Sequence, residues 1–422
     1  MKILHTADWH LGKKLERFSR LEEQREVLDE IVAVAAAEDP DLVLVAGDLF
    51  DAFNPSAEAQ ELLYSTLRSL SGDGERAVVA IAGNHDSPDR VMAPEVLARS
   101  HGIILAGSPE EVVPRFRAGA VEVTGAVPGA VYLRLHRPGL AGTPIVVYLT
   151  PYANELRLRR ALVGADTAPS EIGEVMALQA LLQNHWQTLV RNALSHAREG
   201  VHVLLTHLLF SSNPETPPEE PEGERAIGFV GGAPALDPAV IPPEIQYVAA
   251  GHLHRPHNLG SAPPVRYSGS PLAYSFAEAE QTKSVTIVEL DARGTLGEQP
   301  EVREVPLRSG RPLIRHQSSS VDQALSWLAT HQDALVELRL ELASFLSGSD
   351  RQRLLGVHDG VVTIVPLINR DDAPGDLGRS TDPTEDIDAL FRQFFSYRHG
   401  VDPDPEMMAL FAEVRATAEE PE

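Results

Sequence analysis

The sequence predicts a layered α/β fold that carries a small second domain and C-terminal helices, and three observations support this. Short runs of Val, Ile and Leu over residues 1–7, 41–46 and 77–82 have the length and β-branched content of buried parallel strands. Between them, residues 21–37 and 57–70 carry apolar side chains at helical spacing. Hydrophobic types make up 43% of the 422 residues, ample for a buried core and against disorder over the whole length.

Each element follows in order. Ser56, preceded by Pro55, suits the N-cap of the second helix. The βαβαβ order places ligands beyond the carboxyl ends of the strands. Residues 144–149, 201–206 and 246–250 read as further strands, and a long helix is predicted over 170–198 with Ser170 as its cap. The stretch 214–224, PETPPEEPEGE, is an acidic loop too rich in proline for regular structure. Strand-like pieces at 283–290 and 300–306 flank a turn at Ala292-Arg293-Gly294. Strands at 313–316, 335–342 and 361–366 alternate with helices at 321–331 and 349–357, a small β-α-β-α-β module. The expected division is a main domain over 1–310, this capping module over 311–370, a linker over 371–386 and helices within 387–418. Helices at 387–397 and 405–418 carry Leu390, Phe391, Phe394, Phe395, Met408, Leu410 and Phe411, and are too short to hold together in water without a surface to pack on.

Composition narrows the function. With no cysteine, disulfides, thiolate metal sites and cysteine nucleophiles are excluded. No run of 18 apolar residues exists, and the opening residues turn polar by Asp8, so a soluble cytoplasmic protein is expected. The net charge of −25 argues, at face value, against a nucleic-acid binder.

Five segments carry the chemistry, each at the carboxyl end of a predicted strand: Asp8-Trp9-His10, Gly47-Asp48-Leu49-Phe50-Asp51, Gly83-Asn84-His85-Asp86, Thr206-His207 and Gly251-His252-Leu253-His254. Singly, each has a bland reading: a chance Asp-x-His, a strand-ending turn, a buried core histidine. Together they offer carboxylate, imidazole and amide oxygen, a mix suited to Mn²⁺, Fe²⁺ or Zn²⁺ rather than to an all-oxygen Mg²⁺ or Ca²⁺ cage. Asp8, His10, Asp48, Asn84, His207, His252 and His254 are too many ligands for one ion and about right for two that share a carboxylate. Asp8-x-His10 and His252-x-His254 each put two side chains on the same side of an extended segment.

The segments HTADWHLGKKL, VLVAGDLFD, VAIAGNHDSPDR, LLTHLLF and VAAGHLHRPH resemble the signature of the calcineurin-like metallophosphoesterases, and within them the DNA double-strand-break repair nucleases. The resemblance implies a metallophosphoesterase β-sandwich flanked by helices. It implies one ion held by Asp8, His10 and His254, a second by Asn84, His207 and His252, and Asp48 bridging them; the ion is usually Mn²⁺. His85 then faces the scissile phosphate, and Asp51 matches the acid that orients this histidine in many superfamily phosphatases. The archaeal repair nucleases have a histidine there, so what is known of that second histidine does not transfer. The implied activity is exonuclease on double-stranded ends and endonuclease on hairpins. The implied partners are DNA, a second copy of the chain, and an SMC-like ATPase gripped by the C-terminal helices. Two alternatives are a stand-alone phosphodiesterase or phosphatase on nucleotides or phosphoproteins, and an interaction protein whose metal site has decayed. The filled ligand positions speak against the second.

Weaker signals are Lys13, Lys14, Arg17 and Arg20 after the first motif, and Arg157, Arg159 and Arg160, any of which can meet a DNA backbone or simply be solvated. The acidity is concentrated: residues 215–225 hold five acids and one Arg, residues 371–422 fourteen acids and four Arg. The rest shows no basic stripe, so weak DNA binding by this chain alone is expected, with affinity drawn from metals and an assembly.

Overall fold

The computed structural model describes residues 1–140, 142–153, 158, 174–196, 200–213, 235–291, 299–342 and 346–368, and near the C-terminus 391, 392, 395, 403, 407, 408, 410 and 411. Ser170, the arginines at 157, 159 and 160, the acidic stretch 214–224, the turn at 292–294, the linker 371–386 and most of 387–418 lie outside the described residues.

Strand β1 (Lys2–Thr6), helix α1 (Leu21–Glu38), strand β2 (Leu42–Val45), helix α2 (Ala57–Ser71), and strands β3 (Ala77–Ile81) and β4 (Ile103–Ala106) build the parallel half of a first sheet. Ser56 does cap α2, its hydroxyl accepting the Ala59 N–H at 3.2 Å. A second sheet takes β5 (Phe116–Ala118), β6 (Val121–Val127), β7 (Ala130–Leu135) and β8 (Pro144–Thr150), then, after helix α3 (Glu174–His196), β9 (Val201–Thr206), β10 (Tyr247–Ala250), β11 (His257–Asn258) and β12 (Val265–Tyr267). Its order is β11-β12-β10-β9-β8-β7-β6-β5. Strands β13 (Ser284–Glu289) and β14 (Glu301–Pro306) return antiparallel to the first sheet, giving β14-β13-β1-β2-β3-β4.

The period-two alternation of side chains explains why the strands read as continuous apolar runs. Leu42, Leu44, Val79 and Ile81 point from the first sheet into a shared core with Val131, Leu133, Val147 and Val203 of the second. Their neighbours Val43, Val45, Val78 and Ala80 pack on Leu28, Ile31, Leu63 and Leu67 of α1 and α2. On the far side, Val146, Tyr148 and Leu204 pack on Leu182, Trp186 and Leu189 of α3. Both faces of the central strands of both sheets are therefore covered, and each such aliphatic side chain contributes roughly 1.5–3 kcal/mol of burial.

Strands β15 (Leu313–Ser318), β16 (Leu335–Leu342) and β17 (Val361–Ile368) form a third sheet, alternating along the chain with α4 (Val321–Leu328) and α5 (Gly348–Val357). Helix α4 stops at Leu328, three residues before the predicted end. Leu313 and Leu335 share a small core with Leu15 and Phe276. Contacts join Met1–Glu341 and Leu346–Leu367 into one compact unit, and Leu342–Phe345 with Ile368–Glu422 form another. In that second unit the Phe391 ring stacks on Phe411 at 3.9 Å, and Leu410 is 54% exposed. No helix among the described residues is long and apolar enough to cross a membrane.

Candidate metal centre

The five segments follow the carboxyl ends of β1, β2, β3, β9 and β10, and the fold brings them together. Asp8, His10, Asp48, His207 and His252 are fully buried, and Asn84 and His254 nearly so. His10 Nε2 lies 3.0 Å from His254 Nε2, and His207 Nε2 lies 2.8 Å from Asn84 Oδ1. Asp48 Oδ2 stands between these two groups, 3.5 Å from His10 Nε2 and 3.4 Å from His207 Nε2. The His207 and His252 rings meet edge to face at 5.6 Å.

The backbone reaches this arrangement at a cost. Asp8, His10, Asp48 and His252 have φ of 55°, 45°, 49° and 100°, a region that side chains with a Cβ seldom occupy and that costs on the order of 1–3 kcal/mol each. Main-chain bonds between the loops hold them there: Asp8 N–H to Gly47 O, His10 N–H to Asp48 O and Leu11 N–H to Leu49 O, at 2.9–3.0 Å. Glycine is required where loops touch. A Cβ on Gly83 would sit 2.2 Å from Asp48 N, and one on Gly251 would sit 1.9 Å from Ala46 O.

Each aspartate divides its oxygens in the same way. Asp8 Oδ1 accepts the His252 N–H at 2.8 Å, and Asp48 Oδ1 accepts the His85 N–H at 2.9 Å. Asp8 Oδ2 is buried with no hydrogen-bond partner among the described residues, an expensive state for a carboxylate unless a cation faces it. Two imidazole nitrogens bound at about 2.1 Å, at right angles on one ion, lie about 3.0 Å apart. The donor set thus fits divalent ions.

Burial pushes the Asp8 carboxyl up to about 7, with the Asp48 charge adding to it against the pull of His207 and His254. Burial pulls the His207 ring down, but the Asp48 charge and hydrogen bond outweigh it and hold the ring at about 9. Asp86 rises to about 6, first by burial and then by repulsion from Asp48. In the metal-free protein all three groups bind protons more tightly folded than unfolded. Their stabilisation is complete below the unfolded values of 3.8 and 6.5 and is lost as pH rises through the folded ones. Calorimetry in chelator should therefore show a lower melting temperature at pH 9 than at pH 6, and a flat or rising profile would contradict this account.

His85 is 3% exposed, and its Nδ1–H donates to the backbone carbonyl of Asp51 at 2.9 Å. The Asp51 carboxylate, which the resemblance pairs with this ring, lies 3.9 Å from Nδ1 and accepts from Lys13 Nζ at 2.9 Å. The main chain at 51 already supplies the acceptor, so the acid is free for the lysine. Arg20 is not a surface residue, being 1% exposed, with Nε and Nη2 paired side-on with the Glu23 carboxylate and Nη1 donating to Ala273 O. Arg17 donates to Val361 O, and Lys14 is exposed.

Several supporting residues were not foreseen from the sequence. Asp86 accepts from the backbone N–H of Leu49, Phe50 and Gly83 at 2.8–3.0 Å and so ties the second motif to the third. Its place in Gly-Asn-His-Asp was the available signal. Gln24 donates to His10 O at 2.7 Å, and the Tyr274 hydroxyl donates to Trp9 O. Glu278 accepts from His254 Nδ1–H at 3.1 Å and from Lys283. Burial alone would raise the Glu278 carboxyl, but the His254 bond and the Lys283 charge hold it at about 2.

Residues 1–256 match the family model for calcineurin-like phosphoesterases. Over the whole chain, and 99% of the relative, the sequence is 36% identical to SbcD of the SbcCD nuclease of Bacillus subtilis. It is 34% identical to the SbcD of Rhodobacter capsulatus across 75% of this chain and 71% of the relative. A dimetal phosphatase structure from Danio rerio aligns at 11% identity and a TM-score of 0.39 over 74% of this chain and 99% of its own, a likeness with no functional weight. With the motifs, the α/β layers and these relatives in agreement, the chain belongs to the calcineurin-like phosphoesterase family, in its SbcD branch.

Proposed function

We propose that this chain is the nuclease subunit of an SbcCD-type complex, hydrolysing DNA phosphodiesters with two Mn²⁺ ions in repair and recombination. The observation that carries the reading is the convergence of seven ligand-type side chains from five strand ends into one buried cluster. In it Asp8, His10 and His254 would hold one ion, Asn84, His207 and His252 the other, and Asp48 would serve both. Bound there, the ions supply positive charge for the phosphoryl oxygens and lower the pKa of a water. The chain supplies the rest. The Asp51 carbonyl accepts a hydrogen bond from His85 Nδ1–H, so it is the ring protonated on both nitrogens that can give its Nε2 proton to the leaving oxygen, returning to the neutral Nδ1–H tautomer. Burial of the cluster keeps bulk water from screening these interactions.

The substrates are double-stranded ends, attacked exonucleolytically, and hairpins or single strands, cut endonucleolytically. The chain works as a homodimer with an SbcC-type ATPase, in the cytoplasm at the nucleoid. A Mn²⁺ assay comparing hairpin DNA with a small diester, with and without that ATPase, tests the reading. Cleavage of DNA that the ATPase stimulates is expected; robust cleavage of the small diester with none of DNA overturns it in favour of a stand-alone phosphodiesterase. The C-terminal helices are the grip for the ATPase, so removing residues beyond Asp386 should abolish co-purification with it while leaving metal-dependent cleavage measurable.

A further inference from the structure

Against the cluster, in contact with His254, sits a buried ion pair that the proposed mechanism does not use. Glu278 is 3% exposed and Lys283 7%. Unpaired charges at that depth would each cost several kcal/mol, and a pair so placed is weak evidence for stability in itself. Its contacts converge on one residue. Glu278 Oε1 accepts from the His254 ring at 3.1 Å, and Lys283 Nζ donates to the His254 backbone carbonyl at 3.0 Å. Lys283 also donates to Ser270 Oγ at 2.9 Å, and the Ser270 N–H donates to the same His254 carbonyl at 3.1 Å. The ring and the main chain of His254 are thus gripped together.

The ligand histidines differ in what stands behind them. The outer nitrogen of His207 donates to a neutral carbonyl, Ala46 O, at 2.7 Å. Behind His254 stands a carboxylate, itself paired with a lysine. A carboxylate on one imidazole nitrogen fixes the tautomer, keeps the lone pair on the other and makes that nitrogen a stronger donor to a cation. For His254 the other nitrogen is Nε2, the atom 3.0 Å from His10 Nε2.

We propose that Glu278, held in place by Lys283, is a positioning residue for His254 that selectively tightens the ion site shared by Asp8, His10 and His254. The two sites are in this way unequal by construction, and the His254 site fills at the lower Mn²⁺ concentration. This rests on the two-ion reading above.

The test is calorimetric titration of the full-length chain with Mn²⁺, read independently of nuclease activity. Glu278→Gln leaves Lys283 buried without its counter-charge, so the double variant Glu278→Gln/Lys283→Met, which removes both charges, is titrated beside it. Glu278→Asp is the conservative variant. The expected result is that one binding step of the double variant weakens by about 10–100-fold while the other moves by less than about threefold, with Glu278→Asp recovering part of the loss. A purely structural pair would instead lower the melting temperature of the metal-free protein and leave the steps alike. Two unaltered steps, or two steps weakened equally, in a double variant that melts like the wild type overturn the proposal alone. A wild type that takes up no Mn²⁺ overturns it together with the two-ion reading.

Discussion

A His85→Gln variant loaded with Mn²⁺ should cleave its phosphodiester substrate about 10²–10⁴-fold more slowly than the wild type while retaining both ions, the range expected for losing a general acid. The ring touches the cluster, and in the proposed assignment it is not one of the ligands. It lies edge to face with His10 at 4.8 Å, and its backbone N–H, which the substitution keeps, holds Asp48 Oδ1. Glutamine fills the space and cannot deliver a proton. The measurement is the single-turnover rate beside the metal content of the same sample, and an unchanged rate in a metal-replete variant would refute the role. Asp51→Asn makes the contrast, because the acceptor for His85 Nδ1 is the main-chain carbonyl, which survives the change. Its effect on the rate should be much smaller than that of His85→Gln.

Asp48→Asn should be the more severe lesion. The amide oxygen can still accept the His85 N–H, so the loop keeps its anchor, but an NH₂ group now points where Oδ2 faced His10 and His207. One substitution removes a negative ligand from both sites. The loss of Mn²⁺ affinity should exceed the roughly 10–100-fold typical of losing a partner behind a ligand, and activity should fall with it. Titration of Mn²⁺ into a variant with unchanged circular dichroism measures this. Two ions bound with near wild-type affinity would mean that Asp48 is not shared.

The convergence of the five segments was legible because each closes an apolar run with residues that a strand end has no packing use for: Asp8 and His10, Asp48, Asn84, His207, and His252 with His254. Local chemistry also sufficed at Ser56, where a hydroxyl before a helical pattern can do little but cap. The strands β5 to β7 were missed. Their sequence, FRAGAVEVTGAVPGAVYLRL, mixes small, polar and apolar residues, and it becomes sheet only because Val131 and Leu133 meet the first sheet across the core. The same limit hid Glu278 and Lys283, whose partner His254 lies 24 and 29 residues away in the chain. At Asp51 the resemblance implied a carboxylate beside His85; the nearer acceptor is the backbone carbonyl, which no side-chain identity encodes.

The crossing of oxygens and amides described for the two aspartates has a mechanical consequence. Asp8 follows a strand of the first sheet, and its Oδ1 is fastened to the amide of His252, which follows a strand of the second. With the ligand assignment proposed above, the seven side chains would form a clasp over the open end of the sandwich: Asp8, His10, Asp48 and Asn84 on one leaf, His207, His252 and His254 on the other. An ion seated between them resists any motion that parts the leaves, and a leaf that frays releases its ion. Chelation should thus be felt as faster amide exchange at the strand ends of both sheets at once, well beyond the residues that touch the metals.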